Sequence, residues 1–144
     1  MKKQIFAVAA VLLFTTLAPQ SHAQYATRAN VPFAFQVGNT AMPAGEYQIQ
    51  RTLMGSGTTQ QIRRVDSTSS EFISTSVVDS RDKNVDPKLI FHCYSGDCFL
   101  TEIWAESGHG WKVVESRREK ELAQAQVSAG TELAVVSLPI TAKP

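Results

Sequence analysis

The stretch LIFHCYSGDCFLTEIW, residues 89–104, predicts the strongest β-hairpin of the chain. Two runs of β-branched and aromatic residues flank the dipeptide Ser95-Gly96, which is typical of a two-residue hairpin turn. In that register Cys93 and Cys98 face each other at a non-hydrogen-bonded position, where Cα atoms lie about 4.5 Å apart. We therefore expect a disulfide between Cys93 and Cys98 that holds the register of the hairpin.

A metal or redox site is the alternative use of the same cysteines. A zinc site would recruit His92 and His109, but His92 is adjacent to Cys93 on a strand, so the two side chains point to opposite faces. The Cys-x4-Cys spacing also differs from the Cys-x-x-Cys spacing that lowers a thiol pKa at a helix start. The pattern favours a structural disulfide, and we predict no metal and no cofactor.

Outward from this hairpin, alternating apolar and polar residues predict further strands on both sides. The segments are VPFAFQVG (31–38), GEYQIQ (45–50), QQIRRV (60–65), EFISTSVV (71–78), WKVVE (111–115) and ELAVVSL (132–138). Gly38-Asn39 is typical of a hairpin turn, Pro43-Ala44-Gly45 indicates a bend in the returning strand, and residues 79–87 read as a surface loop.

This inventory predicts a mainly β fold. We expect a small antiparallel β-barrel or β-sandwich of about seven or eight strands, with one short helix in the C-terminal half. The interior of such a fold is filled by side chains, and we expect Phe33, Phe35, Phe91 and Leu100 there.

The helix is predicted in the charged run SRREKELAQAQ, residues 116–126. Ser116 and Glu119 form a Ser-x-x-Glu capping box, which places the start of a helix of roughly ten residues. We expect Leu122 to dock this helix on the sheet.

Four side chains are candidates for a surface contact. Arg117 and Arg118 stand in the first helical turn, where the helix dipole disfavours a cation, so they pair with nearby carboxylates or contact an anion or a protein. Trp104 and Trp111 flank the turn from Gly108 to Gly110, where they cover one end of the core or stack on a ligand.

The N-terminus is typical of an export signal. Lys2 and Lys3 precede an apolar run from Ile5 to Leu17, and small residues then lead to a predicted cleavage between Ala23 and Gln24. We expect residues 1–23 to be a cleaved signal peptide and residues 24–144 to be a single β-rich domain. The mature protein would be periplasmic or secreted, with no transmembrane anchor after cleavage.

The charge balance narrows the classes of partner. The predicted signal contains two of the 14 basic residues and none of the 13 acidic ones, so the mature chain is close to neutral. Nucleic-acid binding needs a basic field, and we therefore expect no nucleic-acid partner. An unknown protein or an envelope component remains as the expected partner.

The chain resembles a group of small, uncharacterised exported bacterial proteins. The resemblance rests on the segments VPFAFQVG, PAGEYQI, LIFHCY, FLTEIW and SRREKEL, which occur in this order between Val31 and Leu122. It implies one compact fold and carries no activity, catalytic residue or oligomeric state.

The leading functional interpretation is a non-enzymatic binding or envelope-associated module. One alternative is a small secreted hydrolase that uses His92 with a nearby carboxylate, Glu102 or Asp97. A carrier of a small apolar ligand is another alternative, and it requires an empty apolar cavity inside the fold. An outer-membrane barrel would require longer strands than these.

Overall fold

The computed structural model describes residues 27–52, 58–105 and 108–142. The predicted signal and its cleavage site between Ala23 and Gln24 lie outside the described residues. The elements in chain order are β1 (Thr27–Val31), β2 (Phe35–Val37), β3 (Thr40–Met42), β4 (Gly45–Arg51), β5 (Thr59–Arg64), β6 (Ser70–Asp79), β7 (Lys88–Tyr94), β8 (Asp97–Trp104), β9 (His109–Val113), α1 (Arg117–Ala129), β10 (Ala134–Pro139) and β11 (Thr141–Ala142). The mainly β class with one helix in the C-terminal half is therefore confirmed.

The strands form one mixed sheet. Its main path has the order β10-β7-β8-β9-β6-β5-β4-β1-β11, and β2 joins it through β8. The pairing of β2 with β8 is parallel, at Gln36 and Phe99, whereas β2 pairs with β3 in the antiparallel direction. The path does not close into a barrel. The predicted antiparallel barrel of seven or eight strands is therefore wrong in closure, strand number and strand direction.

The C-terminal segment connects the two ends of the path. β10 pairs with β7 and β11 pairs with β1, at opposite ends of the path, and only Ile140 separates β10 from β11. The buried Ile140 donates its backbone N–H to the carbonyl of Pro87 at 3.0 Å, outside either strand ladder. The predicted closing strand ELAVVSL (132–138) corresponds to β10, and β11 is a further short strand with a different partner.

Strand β6 changes its partner along its length. The half from Ser70 to Ser74 pairs with β5, and the half from Thr75 to Asp79 pairs with β9. Each half therefore has only one strand neighbour.

The β7–β8 hairpin has the predicted register. Tyr94 faces Asp97 and Cys93 faces Cys98, across a turn with positive φ values of 50° at Ser95 and 92° at Gly96. Both central residues of a type I′ turn require positive φ, and this turn matches the twist of the two strands.

The core consists of apolar side chains from most strands. Phe33 contacts Phe91, and Phe35 contacts both Tyr47 and Phe91, in edge-to-face arrangements with centroids 5.2–5.3 Å apart. Phe35, Phe91 and Leu100 are buried, and Phe33 packs against them from a half-buried position. The predicted interior residues are therefore confirmed.

Helix α1 begins at the predicted cap. The Ser116 hydroxyl accepts the backbone N–H of Glu119 at 3.1 Å, and the helix continues for 13 residues. Gly130 has a φ of 66° and ends the helix by donating its N–H to the last carbonyls. Glu119 is the buried helix residue, and Leu122, which we expected to dock the helix, is half-buried.

The β2–β3 hairpin turns at Gly38, which has a φ of 57°. The bend predicted at Pro43-Ala44-Gly45 separates β3 from β4, and β4 then pairs with β1 and β5 instead of β2. Proline lacks an N–H for the ladder, so a change of partner at this point costs little. One edge of β3 consequently has no strand partner within residues 27–52, 58–105 and 108–142.

Candidate functional site

Two strand edges border a common cleft. Among the described residues, β3 pairs only with β2, and the Ser70–Ser74 half of β6 pairs only with β5. Cavities of about 290 Å³ and about 230 Å³ lie between these edges, and both are lined by Thr40 and Glu71. We call the space bounded by β3 and residues Ser70–Ser74 the β3–β6 cleft.

The backbone of β3 presents hydrogen-bonding groups to this cleft. In a hairpin closed by a two-residue turn, the flanking pair Val37 and Thr40 is hydrogen-bonded. Alternation along the strand then directs the N–H and C=O of Ala41 away from β2 and toward the cleft.

The backbone of β6 also presents hydrogen-bonding groups to the cleft, from the side opposite β3. Thr75 donates its N–H to the carbonyl of Thr58 at 2.8 Å, on the side of β5. The carbonyl of Ser74 points the opposite way, where it accepts the N–H of Val114 at 3.0 Å. By the same alternation, the N–H and C=O of Phe72 point into the cleft. Both edges therefore offer backbone donors and acceptors to an occupant.

The side chains give the cleft an apolar floor and an apolar rim. Tyr47, Ile73 and Val113 line its two cavities and are at most 4% exposed, because they also belong to the core cluster. At the rim, Phe72 is 56% and Val114 57% exposed, which is unusual for large apolar side chains.

The unpaired charge of the cleft is negative. Glu71 lines both cavities, and its carboxylate makes no hydrogen bond or ion pair within the described residues. Arg64 lines the larger cavity, but its guanidinium donates two hydrogen bonds to the carboxylate of Asp66. These hydrogen bonds raise the pKa of Arg64 and lower the pKa of Asp66, so both groups keep their charges and neutralise each other.

Cys93 and Cys98 form the disulfide that the sequence predicts. Their Cα atoms are 4.0 Å apart, and the bond lies one pair away from the hairpin turn. Within residues 27–52, 58–105 and 108–142, no group of three or more His, Cys, Asp and Glu side chains is placed to hold a metal ion. His109 lies apart from the cysteines and contacts Asp79 at 2.7 Å.

The hydrolase candidates are not brought together. His92 Nδ1 lies 3.5 Å from the Tyr94 hydroxyl. The Glu102 carboxylate accepts the indole N–H of Trp104 at 2.7 Å. The Asp97 carboxylate accepts a hydrogen bond from Arg118 at 2.9 Å. Neither acid therefore hydrogen-bonds His92 in the described residues.

The two arginines of the first helical turn are each bound to a carboxylate. Arg117 pairs with Glu121 one helical turn later at 2.9 Å, which agrees with the predicted pairing with a nearby carboxylate. Arg118 reaches Asp97 at the tip of the β7–β8 hairpin, also at 2.9 Å. Arg118 thus attaches the start of α1 to the sheet. The Arg117 side chain is 93% exposed and is the more accessible of the two arginines.

The two tryptophans lie on opposite faces of the sheet. Trp111 faces the buried Ile103 across β8 and β9 and packs against the core from a half-buried position. Trp104 stands one position away on the strand and covers Gly110, where an added Cβ would lie 2.7 Å from the Trp104 ring. They do not form one contact surface.

Glu119 is a buried carboxyl beneath the helix. It is 4% exposed, and its Oε1 has no hydrogen-bond partner in the described residues. Its pKa is raised to about 7, mainly by burial and also by the neighbouring charge of Glu115, while Lys112 and the Ser116 backbone amide oppose this shift. Tyr94, which packs on Phe99 with ring centroids 5.9 Å apart, has a pKa raised by burial and by the nearby Glu119.

Sequence reasoning missed both the cleft and the burial of Glu119. The three residues of β3 between a glycine turn and a proline were a signal for a strand that loses its partner. The capping box located Glu119 but not its depth, because a capping carboxylate usually stays near water.

None of the helices in the described residues is both long and apolar enough to span a bilayer. Comparison of the chain with protein-family models, with curated proteins and with solved structures gives no match in any of the three.

Proposed function

We propose that this protein is an exported, non-enzymatic binding module whose ligand occupies the β3–β6 cleft. The observation that carries the proposal is the pair of strand edges, on β3 and on Ser70–Ser74, that have no strand partner in the described part of the chain and border one cleft. Unsatisfied backbone groups at a sheet edge are a common template for an incoming ligand. Export remains the prediction from the N-terminal residues.

Other observations favour binding over the alternatives. The acids that a His92-based hydrolase would use are bound to Trp104 and Arg118. The rings of Phe33, Phe35, Phe91 and Tyr47 occupy the interior, which favours a surface ligand over one enclosed in the core.

We also infer a sandwich-like arrangement of the sheet. Because β6 passes from β5 to β9, the strands β1, β4 and β5 and the strands β7, β8 and β9 contribute from two sides to one core. The short hairpin β2–β3 fills only part of the space beside β8. The cleft is what remains open between that hairpin and β6.

A side chain that fills the cleft tests the proposal. Thr40 lines both cavities, and a Thr40→Trp variant should occlude them. Ser76→Trp is the matched control, because Ser76 is exposed on the half of β6 that pairs with β9. Tagged wild type and both variants are used to capture ligands from the exported fraction of the host, after thermal unfolding shows that all three are folded.

We expect the wild type and Ser76→Trp to retain the same ligand and Thr40→Trp to lose it. Equal retention by Thr40→Trp, or no reproducible ligand on the wild type, would contradict the proposal.

A further inference from the structure

We propose that the occupant of the β3–β6 cleft is an extended peptide segment that inserts as a strand between the two edges and places a Lys or Arg beside Glu71. This inference rests on the proposed binding function and names the chemical class of the ligand.

The backbone groups on both sides select for a peptide strand. An extended peptide has two hydrogen-bonding edges with alternating N–H and C=O groups. One edge would bond the outward groups of Ala41 on β3, and the other would bond those of Phe72 on β6. A small apolar ligand would leave these backbone groups without partners, at a cost in free energy.

The floor of the cleft determines which residue types the peptide should have at every second position. Every second residue of an inserted strand points toward the core, where it meets Tyr47, Ile73 and Val113. These positions favour apolar residues. The residues between them point outward, next to the exposed Phe72 and Val114 at the rim.

Glu71 defines the charged position. Its carboxylate lines both cavities, so it lies between the two apolar parts of the floor. Arg64 does not neutralise it, because the guanidinium is engaged by Asp66. A basic side chain of the peptide would pair with Glu71, whereas an acidic one would repel it. The expected motif is therefore apolar-x-basic-x-apolar.

The probe for this inference is a fluorescein-labelled, acetylated peptide with the sequence Thr-Val-Thr-Lys-Thr-Val-Thr, and its binding is followed by fluorescence anisotropy. Ala41→Pro removes the N–H that points into the cleft, and proline is tolerated at such an edge position. We expect Ala41→Pro to weaken binding by about tenfold or more, and Ala41→Ser, which keeps the N–H, to bind like the wild type.

A second pair of probes tests the charge. The wild type should bind the lysine probe more tightly than the same peptide with glutamate in place of lysine. In Glu71→Gln this preference should fall by about tenfold. If Ala41→Pro does not fold, a probe with N-methylated alternate amides replaces it, and the same loss is expected.

Each failure has a distinct meaning. Equal binding by Ala41→Pro and Ala41→Ser would overturn strand insertion, and equal binding of the lysine and glutamate probes would overturn the basic position. Absence of binding to the wild type would overturn this inference. None of these three results would contradict a capture experiment in which a ligand binds only when the cleft is open. Equal capture by Thr40→Trp and the wild type, in contrast, would contradict the proposed function itself.

Discussion

Among the described residues, Glu119 has the strongest conflict between two local requirements: it takes part in the helix cap, and it buries a carboxyl group. Its backbone N–H and its carboxylate serve the helix cap at Ser116, which requires a position close to the sheet. The same position buries the side chain near Tyr94, whose pKa the Glu119 charge raises, and leaves Oε1 without a partner in the described residues. Protonation resolves the conflict, because a neutral carboxyl loses less hydration free energy on burial.

The stability of the protein should consequently fall as the pH rises. The pKa of Glu119 is raised from 4.5 to about 7 in the folded protein, so the folded state binds more protons than the unfolded state between these values. The contribution is fully present below pH 4.5 and is lost as the pH passes about 7. Glu119→Gln should remove this dependence, which we place at about 3 kcal/mol in the free energy of unfolding.

Urea unfolding of the wild type and the variant at several pH values between acid and neutral measures the effect. Glu121→Gln is the control, because Glu121 is an exposed residue of the same helix and should keep the wild-type pH dependence. The same decline with pH in Glu119→Gln would show that other groups cause it.

Among the elements, the β7–β8 hairpin holds the helix on the sheet. Next to its turn, Asp97 forms an ion pair with Arg118 of the first helical turn, and Tyr94 lies close enough to Glu119 for that charge to raise its pKa. The disulfide between Cys93 and Cys98 joins the adjacent pair. It therefore stabilises both the hairpin register and the surface on which α1 begins.

Removal of this disulfide should destabilise the protein without changing its fold. The cysteines are five positions apart, and the chain-entropy relation for so small a loop gives about 2 kcal/mol. We expect the double variant Cys93→Ser, Cys98→Ser to lose about this free energy of unfolding in urea. The intact protein should be two hydrogen atoms lighter by mass spectrometry without reductant than with it.

The reduced wild type provides the control, since it should unfold at the urea concentration of the double variant. Equal stability of the oxidised protein and the double variant would mean that the register is held without the disulfide. An unchanged mass on reduction would mean that the thiols are not joined.

Across the whole molecule, local patterns predicted the elements well. The Ser95-Gly96 turn located both strands of the hairpin and their register, and the capping box at Ser116 located the helix start. Alternation identified Phe35 and Phe91 as core residues. Each of these features depends on residues that are close in the sequence, where turn geometry and strand period decide the outcome.

The arrangement of the strands was less predictable, because it depends on residues far apart in the chain. Nothing local to β6 indicates that its first half pairs with β5 and its second half with β9. Between β10 and β11, Ile140 likewise donates a hydrogen bond to Pro87, a residue far away in the chain. The β3–β6 cleft results from these distant pairings, so no sequence motif marks it.

The central claim is that the β3–β6 cleft has unpaired edges that a peptide strand occupies. Amide hydrogen exchange, resolved by residue with NMR, tests it most directly. In the free protein, the amides of Ala41 and Phe72 should exchange fast, and those of Thr40 and Ile73, which are paired with β2 and β5, should exchange slowly. Addition of the lysine probe should slow Ala41 and Phe72 selectively. Slow exchange of both amides in the free protein, or fast exchange at saturating probe, would contradict the account.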